Sequence, residues 1–392
     1  MENHTSLRQW HVILMAVATG LIVANIYYCQ PLIVLISKEF HVAESKAGAI
    51  TFLTQFGYAL GLLFFVPLGD MLEKKKQILF TTVLATVSLI FSAMAKSLLA
   101  LQIASFLVGA TSIVPQLILP LSAHLAQPEK RGKVIGTIMS GLLVGILLSR
   151  TLSGFVGSWL GWRGMFWIAA GIMAGLLILM YFAFPVSKPH FTGTYGSLMK
   201  SIVTLVKEQP ILREASAINA LSFAIFGMFW TTMVLHFSGS PFYFHSDRIG
   251  MFGLAAAAGA LAAPLVGGSA DKRNPRVPIG YGLVIILAGY VLFYLFAYKI
   301  IGIIVGIVAI DLGLQCVHVS NQTRIYALIP SARNRLNTVF MTFSFIGTSI
   351  GSALGLAVWA QWGWSGVCIT GIIMLLGALG IYAATYKKVE IA

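Results

Sequence analysis

Between Leu336 and Tyr386 the chain carries no Asp, Glu, Lys or Arg. As one helix this stretch would run roughly 75 Å at 1.5 Å per residue, against a bilayer hydrocarbon core of about 30 Å. It must turn back on itself, and Gln361-Trp362-Gly363-Trp364 is the expected corner, with its rings at headgroup level. Similar apolar lengths recur throughout. Charge-poor runs cover 12–36, 47–69, 77–95, 97–122, 134–157, 164–185, 215–237, 249–270, 277–298, 300–323, 336–359 and 364–386. That is twelve spans. Composition agrees, with 58% hydrophobic and only 10% charged residues, where a soluble domain has about 25% charged. A cytosolic enzyme, a secreted disulfide scaffold and a disordered chain are excluded, leaving an all-α membrane protein with twelve transmembrane helices. The first run lacks a small-residue cleavage site and reads as a span, not a removable signal.

The net charge of +14 would point to nucleic acid in a soluble protein. In a membrane protein it reports orientation instead. With the N-terminus inside, 19 Lys and Arg fall on the cytoplasmic side, and six fall outside: Lys38, Lys46, Lys96, Arg163, Arg248 and Lys299. The positive-inside rule therefore predicts a multi-pass protein with both termini cytoplasmic. The long basic connection 186–214, with Pro185, Pro189, Gly193 and Gly196, divides 1–185 from 215–392.

The two parts repeat. An offset of 202 lays Pro128 on Pro330, Arg131 on Arg333, Gly145 on Gly347, Gly161-Trp162 on Gly363-Trp364 and Gly164 on Gly366. One residue of slippage brings Asp70 onto Asp271. Six spans separate the copies, so they share one orientation and form a parallel repeat of two six-helix bundles. Twelve spans in a 6+6 repeat, a basic central loop and acidic-then-basic turns after spans two and eight resemble the major facilitator superfamily. The loop Gly267-Gly268-Ser269-Ala270-Asp271-Lys272 ending in Arg276 carries the resemblance best, and Asp70 followed by Lys74-Lys75-Lys76 is its weaker first-half copy. The segment from Asp311 through Ser320-Asn321-Gln322-Thr323-Arg324 to Asn337-Thr338 is similar to a bacterial subgroup near the drug/proton antiporters. The chain departs from the antiporter pattern in two places. Ser105 and Val108 precede Gly109 where that branch carries an Arg motif, and Ile146 replaces a Pro after Gly145.

Asp311 is the one acidic residue far inside a span, and an ionisable group at that depth is costly and a functional candidate. Gln315, His318 and Gln322 follow it at i+4, i+7 and i+11, one polar stripe on one helix face. Asp311 and His318 are the proton-coupling candidates, with a structural tie between helices as the competing reading of Asp311. Asn25, Tyr28 and Gln30 before Pro31, Gln116 in span four, and Asn219, Phe226 and Trp230 in span seven are expected to line a substrate cavity with Gln315. The resemblance places spans one, four, seven and ten around that cavity. Arg150 either faces the cavity or snorkels to the outer headgroups. Asp70, Lys74, Arg131, Asp271, Lys272, Arg276 and Arg333 are the candidate gating residues.

No phosphate-binding loop, nucleophile array or metal cluster is present, and Cys316 and His318 at i, i+2 point apart, so neither cofactor nor metal is expected. The leading expectation is a secondary transporter working by alternating access, monomeric, coupled to protons and exporting a small organic molecule by antiport. Uptake by proton symport is the alternative, favoured by the missing antiporter residues, and a non-transporting receptor on the same fold is a remote third.

Overall fold

The computed structural model describes residues 8–127, 130–186, 193–269, 274, 276–329 and 332–389. Those residues form fourteen helices. They are α1 (Gln9–Ala24), α2 (Ile33–Phe40), α3 (Glu44–Ala47), α4 (Ala49–Phe64), α5 (Lys74–Met94), α6 (Leu98–Thr111), α7 (Val114–Leu125), α8 (Arg131–Ala183), α9 (Tyr195–Glu208), α10 (Pro210–Ser238), α11 (Ser246–Ser269), α12 (Val277–Leu295), α13 (Ile300–Leu328) and α14 (Arg333–Val389).

Two of these, α8 and α14, are each two spans joined at a single glycine. Gly161 has φ 71° and ψ 172°, and Gly363 has φ 59° and ψ −152°. Both lie in a region that side-chain-bearing residues avoid. The neighbours prove the reversal. In the first half of α8, Gly141 meets Ala16 and Gly145 meets Gly20, so that half runs parallel to α1. In the second half, the Arg163 guanidinium bonds the Ala95 carbonyl while Tyr181 lies near Lys75, so it runs antiparallel to α5. The second half of α14 returns likewise along α12, from Trp364 on the Phe293 carbonyl to Tyr382 on the Arg276 carbonyl. The two hinge glycines are a repeat-related pair.

Spans one and four are broken. After α1 the backbone tightens into i→i−3 bonds, Tyr27 to Ala24 and Gln30 to Tyr27, ahead of the 3₁₀ turn Gln30–Leu32. Pro31 lacks an N–H, and the Tyr28 carbonyl it helps to free accepts a 2.5 Å bond from the Ser153 hydroxyl. Span four breaks at Ser112–Ile113 just before Pro115, giving α6 and α7.

Packing is set by small residues, as it must be where lipid removes the hydrophobic drive between helices. A Cβ on Gly145 would sit 2.1 Å from the Gly20 carbonyl oxygen, and one on Gly347 would sit 2.1 Å from that of Ala220. The pairs α1–α8 and α10–α14 are thus the same contact in the two repeats. The halves meet along α4–α14 and α8–α11. Across these seams Ser349 donates to the Phe52 carbonyl, Ser352 to Gln55 and Thr151 to the Gly250 carbonyl, at 2.8–2.9 Å.

The central connection 186–214 holds more structure than its Pro and Gly content predicts. Thr194 caps α9 by accepting from the Ser197 N–H at 3.2 Å, and α10 starts at Pro210. Leu198, Ile202 and Leu205 lie at i, i+4 and i+7 and are buried; Ile202 and Leu205 share a small apolar core with Leu212, Leu336 and Phe340. This amphipathic face is what turns the loop into a helix.

Candidate functional site

A cavity of about 400 Å³ opens between the halves at the end that carries Lys74 and Arg333. Gln116 and Pro120 from α7, Met139 and Leu142 from α8, His318 and Gln322 from α13, and Asn337 and Met341 from α14 form its walls. Its polar lining is one network. Asn337 donates to Gln116 at 3.2 Å across the two halves, and its carbonyl accepts from Tyr326 at 2.9 Å and Gln322 at 3.2 Å. His318 stands at the wall, 3.3 Å from the Asn219 amide and stacked on Phe340. Asn219 also donates to Ser344 at 2.6 Å.

At the mouth, Asp70 accepts a 3.4 Å bond from Asn334 of the opposite half, with Lys74, Arg333 and Arg335 around it. Arg333 bonds the Tyr326 carbonyl in its own half. Arg276 is not at the mouth. It is 3% exposed and held by Glu214 at 2.8 Å, by Thr385, and by the rings of Tyr382 and Tyr386, all within the second half. Its placement with the gate came from the loop motif that ends at Arg276, and in the structure its partner is a buried carboxylate. Asp271, Lys272 and the Arg131 side chain lie outside the described residues.

Deeper in, a second cluster is closed to solvent. Arg150 is 2% exposed. Its Nε donates to Gln30 at 2.7 Å, and its guanidinium lies 4.0 Å from the Trp230 ring, 4.7 Å from Tyr27 and 5.8 Å from Phe226. It therefore points inward and not to headgroups. Asp311, 5% exposed, comes from α13 in the other half, close enough for electrostatic interaction with Arg150 but without an ion pair. Three polar atoms here have no partner: Arg150 Nη2, Asp311 Oδ2 and Trp230 Nε1. Such buried orphans call for an explanation.

A run of rings separates cavity from cluster. Phe223 touches His318 on one side and Phe226 on the other, and Tyr58 packs at 4.4 Å on Phe345, which touches Phe223. Asp311 and His318 stand seven residues apart on α13, roughly 10 Å along the axis. They therefore occupy different compartments. Of the remaining sequence candidates, Asn25 donates to Ser112 at 3.5 Å and joins the breaks of spans one and four. Tyr28 is core, and Gln315 is half-buried outside the cavity lining.

Sequence reasoning missed Glu214. It bonds Arg276 and Arg324 at 2.8 Å each and accepts from Thr385 at 3.0 Å, tying α10, α12, α13 and α14 together. Its place near the start of an apolar run gave it the look of a loop residue.

Residues 15–323 match the family profile described as Major Facilitator Superfamily. The chain belongs to that superfamily. It is 40% identical over 381 residues to a protein named as an uncharacterized transporter, YgaY, of Escherichia coli strain K12, covering 97% of each chain. A probable transporter of Streptomyces coelicolor is 30% identical, over 93% of this chain and 85% of that protein. A probable sugar efflux transporter of Helicobacter pylori strain G27 is 24% identical, over 90% and 88%. Among solved structures, a bacterial homologue of the human lysosomal transporter Spinster, inward-facing and occupied, superposes with a TM-score of 0.76 at 14% identity, covering 97% of each chain. The superfamily fold is twelve helices in two bundles, and the protein is a multi-pass membrane transporter, not an enzyme.

Proposed function

We propose that the protein couples the transmembrane proton gradient to movement of a small organic molecule, with Asp311 as the group that loads and releases the proton. The observation that carries this reading is the carboxyl itself. It is buried between the two halves, opposite a guanidinium, with one oxygen unpartnered. A carboxyl in such a place gains or loses its charge at a large electrostatic cost, which is what coupling to a conformational equilibrium requires. A mere tie between helices would be expected to use both oxygens.

The basic end is assigned to the cytoplasm on the 19-to-6 distribution of Lys and Arg. The 400 Å³ cavity then opens inward, with His318 on its wall as a second titrating group. Rocking of the halves about the α4–α14 and α8–α11 seams would close it, around the Asp70–Asn334 contact that already bridges the mouth. The similarity to the Helicobacter sugar efflux transporters supports export as the direction.

The test is a counterflow screen of metabolites and amphipathic compounds in proteoliposomes, with pH gradients of either sign. Once a cargo is found, Asp311→Asn should abolish gradient-driven accumulation while exchange at equal pH persists. An Asp311→Asn protein that still concentrates cargo on a pH gradient alone would return Asp311 to a structural role.

A further inference from the structure

We infer that the cargo carries a single carboxylate or equivalent anionic group, which docks on the free Nη2 of Arg150 while its apolar part lies among Tyr27, Phe226 and Trp230. This rests on the closed cluster being the cargo site of the transporter proposed above. The Arg150 donors are unevenly used. Nε is committed to Gln30 at 2.7 Å, Nη1 leans on the Ile146 carbonyl at 3.5 Å, and Nη2 has nothing. A guanidinium taken out of water needs oxygen partners as well as charge compensation. The rings around it supply cation–π attraction but no acceptor. Trp230 Nε1, beside it, is a second buried donor without one.

A neutral polyol would satisfy donors and leave the charge unanswered. A carboxylate does both, since one oxygen accepts from the free Nη2 and its charge answers the guanidinium. The rings of Tyr27, Phe226 and Trp230 would meet an apolar or aromatic body once the closed cluster opens to admit it, so the occupant is an amphipathic monoanion.

The coupling sense follows from the same atoms. The charged and titratable groups facing this pair are Arg150, Asp311, Tyr27 and the Cys29 thiol. With the site empty, Asp311 and Arg150 lie within electrostatic reach of each other but form no ion pair. An anion on Arg150 answers the guanidinium charge and disfavours a second negative charge on Asp311, so the carboxyl holds a proton while cargo is bound. Cargo and proton travel together, with no net charge moved. This makes the protein a cotransporter whose direction is set by the sum of the two gradients, so export of an abundant cytoplasmic acid needs no exchange.

The test uses the purified full-length protein and a panel of monocarboxylates, from hexanoate to phenylacetate and naphthylacetate, each paired with its uncharged amide. Binding is read by calorimetry, and proton uptake by a pH indicator in weak buffer. At least one carboxylate should bind roughly tenfold or more tightly than its amide, taking up a proton wherever Asp311 starts ionised. Arg150→Gln should erase the preference, Arg150→Lys should keep part of it, and Asp311→Asn should bind without proton uptake. The inference is overturned if no carboxylate outcompetes its amide, if the preference survives in folded Arg150→Gln protein, or if binding releases protons. Should the preference fail while pH-driven accumulation of a screened cargo still needs Asp311, the anion is wrong and the transporter reading stands.

Discussion

Replacing Glu214 by Gln keeps the side-chain shape and removes one buried charge from a three-residue set. In the folded protein both carboxylate oxygens are engaged, one by Arg276 and Thr385 and the other by Arg324, and all three charged side chains are under 7% exposed. Gln can still accept one of these bonds through its carbonyl. Its NH₂ turns the other contact into donor against donor, and two guanidiniums are left with no counter-charge. Removing one partner of a buried pair typically costs about 3–5 kcal/mol, most of it the penalty on the charge left behind. Desolvation lowers the pKa of Arg276 while Glu214 raises it, so the carboxylate opposes the largest destabilising influence on that guanidinium. The assay is the unfolding free energy of purified protein in an SDS titration. Glu214→Gln should lose about 3–5 kcal/mol, Arg324→Gln a similar amount, and the double variant clearly less than their sum, since each single change already strands the other partner. Losses below about 1 kcal/mol, or strictly additive ones, would refute the view that this cluster is a desolvated, interdependent unit. Transport should fall in parallel with folded protein, because the residues lie outside the cavity and the closed cluster.

The Gly145→Leu and Gly347→Leu proteins should fail to accumulate in the membrane, whereas leucine at Gly171 or Gly175, where an added Cβ meets nothing within 4 Å, should leave yield unchanged by immunoblot. His318→Gln removes the imidazole from the cavity wall while keeping a hydrogen-bonding side chain beside Asn219. Transport measured from pH 5 to 8 should keep its dependence on the gradient but change its profile; an unaltered profile would exclude His318 from the proton route. Asp70→Asn should leave binding intact and change the transport rate, since an exposed 3.4 Å contact contributes little to stability but biases the mouth. Equal loss of binding and flux would contradict a gating role.

Helix count and reversal points were legible because bilayer thickness is a strict ruler and a charge-free run of Leu336–Tyr386 cannot obey it without a corner. The 202 offset also paired Gly161 with Gly363, the two hinges, although only Gly363 had been read as a turn. The rest was hidden for physical reasons. α9 was obscured by flanking Pro and Gly, though Leu198, Ile202 and Leu205 carry a helical period. Glu214 and Arg324 meet across 110 residues, and Arg150 and Gln30 across 120, distances over which no local pattern reports contact. Arg276 belongs by motif to the gating loop, and its burial against Glu214 is a long-range contact that the motif does not report. The two candidate proton groups share a helix face, yet a layer of rings divides their surroundings, which periodicity does not reveal.

The one-residue corners at Gly161 and Gly363 have a practical consequence for anyone building tools on this protein. A corner with no loop offers no slack for an epitope, a protease site or a fluorescent fusion, since any inserted residue must pull a helix end out of register with its partner. The segment joining α10 to α11 is different: Ser240, Pro241, Tyr243 and His245 are exposed there, and seven residues separate the two helices. On the side of the bilayer away from the termini, that segment is where a tag reporting on the second half should be placed.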